Sequence, residues 1–147
     1  IQNHTLCLIQ VATSGGTYLL DALELSDLGI LAEVFADPAV VKVIHNATFE
    51  RRVLAPLGFE LRGVCDTLVQ SRRLRGRQVL GGHGLAMVCE RELGLGMDKA
   101  QQKSNWSQRP LAPEQVRYAA LDAEVLLRLY GHFQRLTPPG QFGEGVL

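Results

Sequence analysis

Three scarcities narrow the reading of this 147-residue chain. It holds three cysteines, Cys7, Cys65 and Cys89, far apart and in no CxxC pair. That spacing speaks against a disulfide framework or a zinc site, and fits buried thiols in a reducing compartment such as the cytoplasm. No run approaches the roughly 20 apolar residues of a membrane span, and no charged-then-apolar leader is present, so no membrane association is expected. Net charge is also missing, since fifteen Lys and Arg balance fifteen Asp and Glu. A polybasic arm gripping nucleic acid by bulk charge is thereby disfavoured, while a local basic patch is not.

What is present is globular. Hydrophobic residues make up 46% and charged residues 20%, with mean hydropathy +0.05, enough for one domain with its own core. Thr5 to Ala12 is almost continuously apolar, as a strand covered on both faces would be. Ser14-Gly15-Gly16 turns the chain into a second strand, Thr17 to Leu20, giving an antiparallel hairpin. Asp27 can cap a helix running to Ala36 and closed by Asp37-Pro38. Val40 to Ile44 is a β-branched strand ended by His45-Asn46. Thr48 to Leu57 has helical spacing, with Phe49, Val53 and Leu57 on one stripe and Pro56 distorting the end. Gly63 to Thr67 reads as a strand end feeding a helix through Leu74. Arg72 to Gly84 reads as a surface loop, with its arginines the best candidate for a phosphate-gripping patch. Leu85 to Leu93 is a short helix stopped by Gly94, and Met97 to Leu111 is polar and irregular. Pro113 opens the longest helix, running through Phe133, and a loose tail follows Thr137. The order is mixed α/β, a domain over 1–137 with a flexible tail over 138–147.

One carboxylate is out of place. Asp122 stands in the long helix among Ala119, Ala120, Leu121, Ala123, Val125 and Leu126. Tyr118 lies one turn before it, on a stripe that should face the core. Burying a carboxylate there is costly unless it is paired, hydrogen-bonded or bound to a metal. Glu50, in the first turn after the strand Val40–Ile44, and Asp66, at another strand end, occupy comparable places. Glu50 alone could simply favour the helix dipole, and Asp66 could simply cap a helix. Together with Asp122 they could converge on a divalent cation that prefers hard oxygen ligands.

Tyr118-Ala119-Ala120-Leu121-Asp122-Ala123 resembles the third motif of the DEDD 3′→5′ exonucleases, in the branch with Tyr four residues before the Asp. Asp98-Lys99, Ser104-Asn105-Trp106, Arg109-Pro110-Leu111 and Gln115 resemble the ribonuclease D-like group. His45-Asn46-Ala47-Thr48-Phe49-Glu50 is similar to the second motif. The likeness spans about Leu6 to Tyr130. It implies a ribonuclease H-like fold, a mixed central sheet flanked by helices. It also implies hydrolysis of phosphodiester bonds at the 3′ end of RNA or single-stranded DNA, with two divalent ions, Mg²⁺ or Mn²⁺. By this resemblance Asp122 and Glu50 would ligate metal, and Tyr118 would orient or help deprotonate the attacking water. His45, Asn46 and Phe49 would shape the pocket, Phe49 also packing its helix. Lys103, Trp106 and Arg109 would contact the strand, or Trp106 would anchor its loop.

Two features depart from that pattern. The first motif, Asp-x-Glu, should lie one strand upstream of Thr5, yet no Asp or Glu occurs before Asp21. Glu50 stands where Asp is usual, moving the carboxylate by roughly 1.5 Å. Three readings stay open: an exonuclease whose first strand lies upstream, a degenerate domain that binds nucleic acid or a protein without cutting, and a proofreading module of a longer polymerase or helicase.

Overall fold

The structure, a computed structural model, describes residues 6–137. Thr5, the expected start of the first strand, and the expected tail over 138–147 lie outside the described residues. Strands β1 (Leu8–Thr13) and β2 (Gly16–Asp21) pair antiparallel, Leu8 opposite Asp21 and Thr13 opposite Gly16. The Thr13 hydroxyl closes the turn, accepting the Gly15 N–H at 3.1 Å and donating to the Gly16 carbonyl at 3.2 Å. Leu8 to Ala12 are half-buried, not enclosed on both faces as their apolar run suggests. The physical reason is the layering: among the described residues α5 packs across β1, and no second helix makes comparable contact with it.

Helix α1 (Gly29–Ala36) starts where Asp27 accepts the Gly29 N–H at 2.9 Å. Lys42 closes its other end, its ammonium donating to the carbonyls of Val34 (3.0 Å) and Asp37 (2.6 Å). The next strand, β3 (Lys42–Ile44), is shorter than its β-branched run because the Val40 N–H turns back to the Asp37 carbonyl at 3.2 Å. It lies parallel to β4 (Val64–Asp66), Ile44 opposite Asp66, joined by helix α2 (Ala47–Leu54) and a 3₁₀ turn at Ala55–Leu57. Pro56 sits in that turn, where its missing N–H costs the helix least. Helices α3 (Thr67–Arg75), α4 (Leu85–Leu93) and α5 (Pro113–Leu136) follow, with a 3₁₀ turn at Ala100–Lys103 inside the polar stretch.

Helix α5 packs across β1, β2 and β3 and against α3 and α4. The expected mixed sheet is therefore present as one antiparallel and one parallel pair, which among the described residues are not hydrogen-bonded to each other. Val125, Leu129 and Phe133 of α5 are fully buried with Val88 and Cys89 of α4. On the opposite side Ala47, Leu54, Leu61 and Val64 form a second cluster, joined by Phe35, Ile44 and Phe59. The stripe Phe49–Val53–Leu57 exists but faces a groove instead of this core, which takes Ala47 and Leu54 from α2. No helix among the described residues is long and apolar enough to cross a membrane. Truncating a fully buried Phe removes its transfer free energy and leaves a cavity. Phe133→Ala is expected to lower the unfolding free energy by about 3–5 kcal/mol, read from urea denaturation.

Candidate active site

Asp122 lies half-buried on the shoulder of α5, beside the fully buried ridge of Ala119, Val125 and Leu129. Its stripe was expected to enter the core; instead Tyr118 and Asp122 line an open cleft of about 370 Å³. One wall is Gly81, Gly84, Leu85, Ala86 and Met87, and the other Met97, Asp98, Lys99 and Gln102. Among the described residues no hydrogen bond or ion pair holds the Asp122 carboxylate, and desolvation lifts its pKa from 3.8 to about 6. Burial and the neighbouring Asp122 charge raise the Tyr118 phenol above its ordinary value, against a smaller opposing pull from Gln102. At neutral pH Tyr118 is consequently a protonated hydroxyl. Gln102 carried no signal in the sequence; it reaches the cleft only because the 3₁₀ turn folds it there.

The Glu50 carboxyl, which is not part of that cleft's lining, is similarly desolvated, which raises its pKa, and among the described residues no hydrogen bond or ion pair holds it. Its helix starts from Asn46, whose left-handed backbone (φ 74°, ψ 66°) is one that Asn tolerates. The Asn46 side chain accepts the Phe49 N–H at 3.4 Å. Asp66 serves as a cap, the plainer of its two readings. One oxygen accepts the Leu68 N–H (2.9 Å) and the Asn46 N–H (3.0 Å), the other the Ala47 N–H (2.9 Å). It thereby fixes the start of α2, and with it Glu50, while spending its own lone pairs. Phe49 does not reach the Asp122 cleft. It is 57% exposed and lines a larger apolar groove of about 890 Å³ with Leu6, Leu23 and Leu57.

His45 is a connector. Its Nε2 donates to the His83 carbonyl (2.8 Å), so in the neutral ring its Nδ1 accepts the Thr67 hydroxyl (2.8 Å). Burial, the larger effect, pushes its pKa down and keeps it neutral. His83, which the sequence reading passed over, repeats the arrangement: Nε2 donates to the Gly76 carbonyl (2.8 Å) and Nδ1 meets the Ser71 hydroxyl (2.8 Å). A lone histidine inside Gly81-Gly82-His83-Gly84 was the available signal.

Trp106 packs its ring 6.0 Å from that of Tyr118 and donates to the Gln101 carbonyl at 3.2 Å, so it holds the lead-in loop against the cleft. Arg109 has its donors committed elsewhere. It grips Asp21 with Nε (2.6 Å) and Nη2 (2.8 Å), and its Nη atoms also reach the carbonyls of Cys7, Trp106 and Gln108. That pairing pulls the Asp21 carboxyl down to about 2. Gln115, fully buried, accepts the Ala112 N–H (2.8 Å) and donates to Ser104 Oγ (2.7 Å) and the Asn105 carbonyl (3.0 Å), binding the same loop to α5. Lys103 is exposed, with no side-chain partner among the described residues.

Two expected outcomes follow from this geometry. Arg109→Ala should lower the urea midpoint, because the hairpin and the lead-in loop lose their shared clamp; unchanged stability with weakened oligonucleotide binding would assign Arg109 to the substrate instead. Asp122→Asn in EDTA should raise the melting temperature at neutral pH. The sign follows from the raised pKa: the cost of ionising Asp122 in the fold sets in above pH 3.8 and is complete above about 6. The gain should thus be largest above pH 6 and vanish near pH 4, as thermal melts across that range would show.

The sequence pattern of a 3'-5' exonuclease family matches residues 1–138. The chain is 35% identical over 143 residues to the exosome complex exonuclease RRP6 of Saccharomyces cerevisiae, covering 96% of this chain and 19% of that protein. The crystal structure of the catalytic core of RRP6 from Trypanosoma brucei superposes with a TM-score of 0.78 at 29% identity, over 88% of this chain and 35% of that one. Escherichia coli RNase D, an exoribonuclease involved in structured RNA processing, gives 0.73 at 26% identity, again over 88% and 35%. The chain therefore spans only a minor part of the length of these relatives. The hairpin, the parallel β3–α2–β4 unit and the crossing helix α5 make up the α/β architecture shared with these exonuclease domains, the ribonuclease H-like fold. Matched along nearly its whole length, the chain belongs to the 3'-5' exonuclease family, in its ribonuclease D-like branch.

Proposed function

We propose that this domain removes nucleotides hydrolytically from the 3′ end of RNA or single-stranded DNA, with the Asp122 cleft receiving the terminal nucleotide. The observation that carries the reading is two desolvated carboxylates, Asp122 in the cleft and Glu50 in the first turn of α2, that nothing among the described residues neutralises. A fold does not keep such groups for stability, because each is costly to ionise where it stands. The likeness to Escherichia coli RNase D, an exoribonuclease, supports RNA as the substrate class.

Asp122 and Glu50 would hold divalent ions, Mg²⁺ or Mn²⁺, whose chemistry when bound is to acidify water and offset charge on the scissile phosphate. Two carboxylates suit such a cation in kind, though among the described residues no group of three or more His, Cys, Asp and Glu comes together. We assign the remaining carboxylates to the Asp-x-Glu motif of a strand upstream of β1, since both strand pairs have open edges among the described residues. Tyr118, held protonated by burial and by Asp122, donates a hydrogen bond that orients the attacking water; its raised pKa argues against the alternative role of base. Trp106 and Gln115 keep Tyr118 and the loop of Lys103 in register with α5. Met87 and Met97 line the cleft walls with adaptable apolar surface.

The test is release of mononucleotides from a 3′-labelled oligonucleotide by the chain extended through its upstream strand. Asp122→Asn should abolish release, and Tyr118→Phe should slow it on the order of a hundredfold by misplacing the water. Residues 1–147 alone should release little. Undiminished turnover in Asp122→Asn would sink the assignment. Binding without turnover by the extended wild type would favour the degenerate reading, in which Glu50 in place of Asp has ended catalysis.

A further inference from the structure

Helix α3 and the loop after it carry charge that the cleft itself does not use. From Thr67 to Cys89 there are four arginines, Arg72, Arg73, Arg75 and Arg77, and no Asp or Glu, in a chain of zero net charge. Arg75 is accounted for: its Nε and Nη2 clasp both oxygens of Glu92 at 2.7 and 2.8 Å, and that carboxylate, only 1% exposed, also pairs with His132 at 2.8 Å. Arg72, Arg73 and Arg77 are exposed and have no side-chain partner among the described residues. Charge at a helix C-terminus is favoured by the helix dipole, which explains arginines in the last turn of α3. It does not explain Arg77, which lies beyond the helix.

The loop that follows is built, not slack. His83 ties it to Ser71 and Gly76, His45 holds the His83 carbonyl, and Arg91 Nη2 donates to the carbonyls of Leu80 (3.1 Å) and Gly82 (2.6 Å). Gly81 suits its place because its φ of +82° is one that residues with a Cβ rarely adopt. Held this way, the loop turns Gly81 into the cleft wall and leaves the preceding Leu80 95% exposed. Single exposed leucines are common on protein surfaces. This one precedes a residue of the cleft wall, on a loop fastened at five backbone or side-chain points, three positions after the exposed Arg77. Arg72 also stands near enough to His45, at the end of β3, for its charge to oppose protonation of that ring.

We propose that Arg72, Arg73, Arg77 and Leu80 form a track for the single-stranded nucleic acid leading into the cleft, the arginines on its phosphates and Leu80 against a base. The proposal rests on the exonuclease reading for which end of the strand enters, but not for the binding itself. The track supplies affinity for nucleotides upstream of the terminal one, which the cleft cannot reach. A short oligonucleotide fills the cleft alone; a longer one uses both.

The test is fluorescence anisotropy of labelled 12-mer and dimer oligoadenylates with the 147-residue chain in EDTA, across a salt series. The triple variant R72A/R73A/R77A should bind the 12-mer at least tenfold more weakly at low salt. Its log–log salt slope should fall by about 2, the share of three contacts to single-stranded phosphates. L80A should weaken the 12-mer without changing the slope, and neither variant should alter dimer binding. Circular dichroism melts of both variants confirm that the fold is retained. Unchanged 12-mer affinity in a folded triple variant overturns the track. These outcomes are independent of turnover. Loss of 12-mer binding with no nucleotide release by the extended chain would keep the track and end the exonuclease reading; the reverse pattern would do the opposite.

Discussion

The burial of Val125, Leu129 and Phe133 against Val88 and Cys89 fixes the rotation of α5 about its own axis. Everything functional in the domain depends on that constraint. With those three side chains inward, the position one turn toward the N-terminus, Asp122, can face only the shoulder where α4, the loop after α3 and the polar lead-in meet. The core offers a hydrophobic gain of about 1.5–3 kcal/mol for each large side chain, which outweighs the cost of holding one carboxylate half out of water. The helix is thus stabilised by one face so that another can carry a charge that is unfavourable in the free protein.

The remaining electrostatics fall into two groups that serve different ends. Arg109 with Asp21, Arg75 with Glu92 and His132, and Lys42 on the end of α1 are satisfied pairs that join elements distant in sequence. Asp66 belongs with them, since both of its oxygens are taken by backbone N–H groups. Against this satisfied background Asp122, Glu50 and the arginines Arg72, Arg73 and Arg77 stand out. Opposite charges occur in the same domain without meeting, which leaves both available to a ligand that carries phosphate.

Much of the architecture was legible because it follows from local rules. The Ser14-Gly15-Gly16 turn, the Pro113 start of α5 and the Gly94 stop of α4 are decided by backbone preference within a few residues, and they fall where expected. The misplaced carboxylate was legible too, because an Asp inside an apolar helical stripe contradicts its surroundings. What was not legible depended on long-range partners. The enclosure expected of β1 needs a second covering layer, which a local apolar run does not reveal. The Phe49 stripe was readable as apolar, but not as facing a groove. Arg109 invited a role toward phosphate because a free arginine is the usual reading, and only the fold brings Asp21 within 2.6 Å of it. Likewise His83 had no helical or strand periodicity to mark it, yet it organises the loop that walls the cleft.

The central claim is that Asp122 is kept unpaired in order to take a divalent cation. Paramagnetic broadening measures this directly: Mn²⁺ is added to ¹⁵N-labelled protein and the amide signals that disappear first are located. The account predicts that they centre on Tyr118 to Ala123, extend to the first turn of α2 around Glu50, and survive in Asp122→Asn. Broadening confined to other acidic surface residues, or a pattern unchanged by Asp122→Asn, would contradict it.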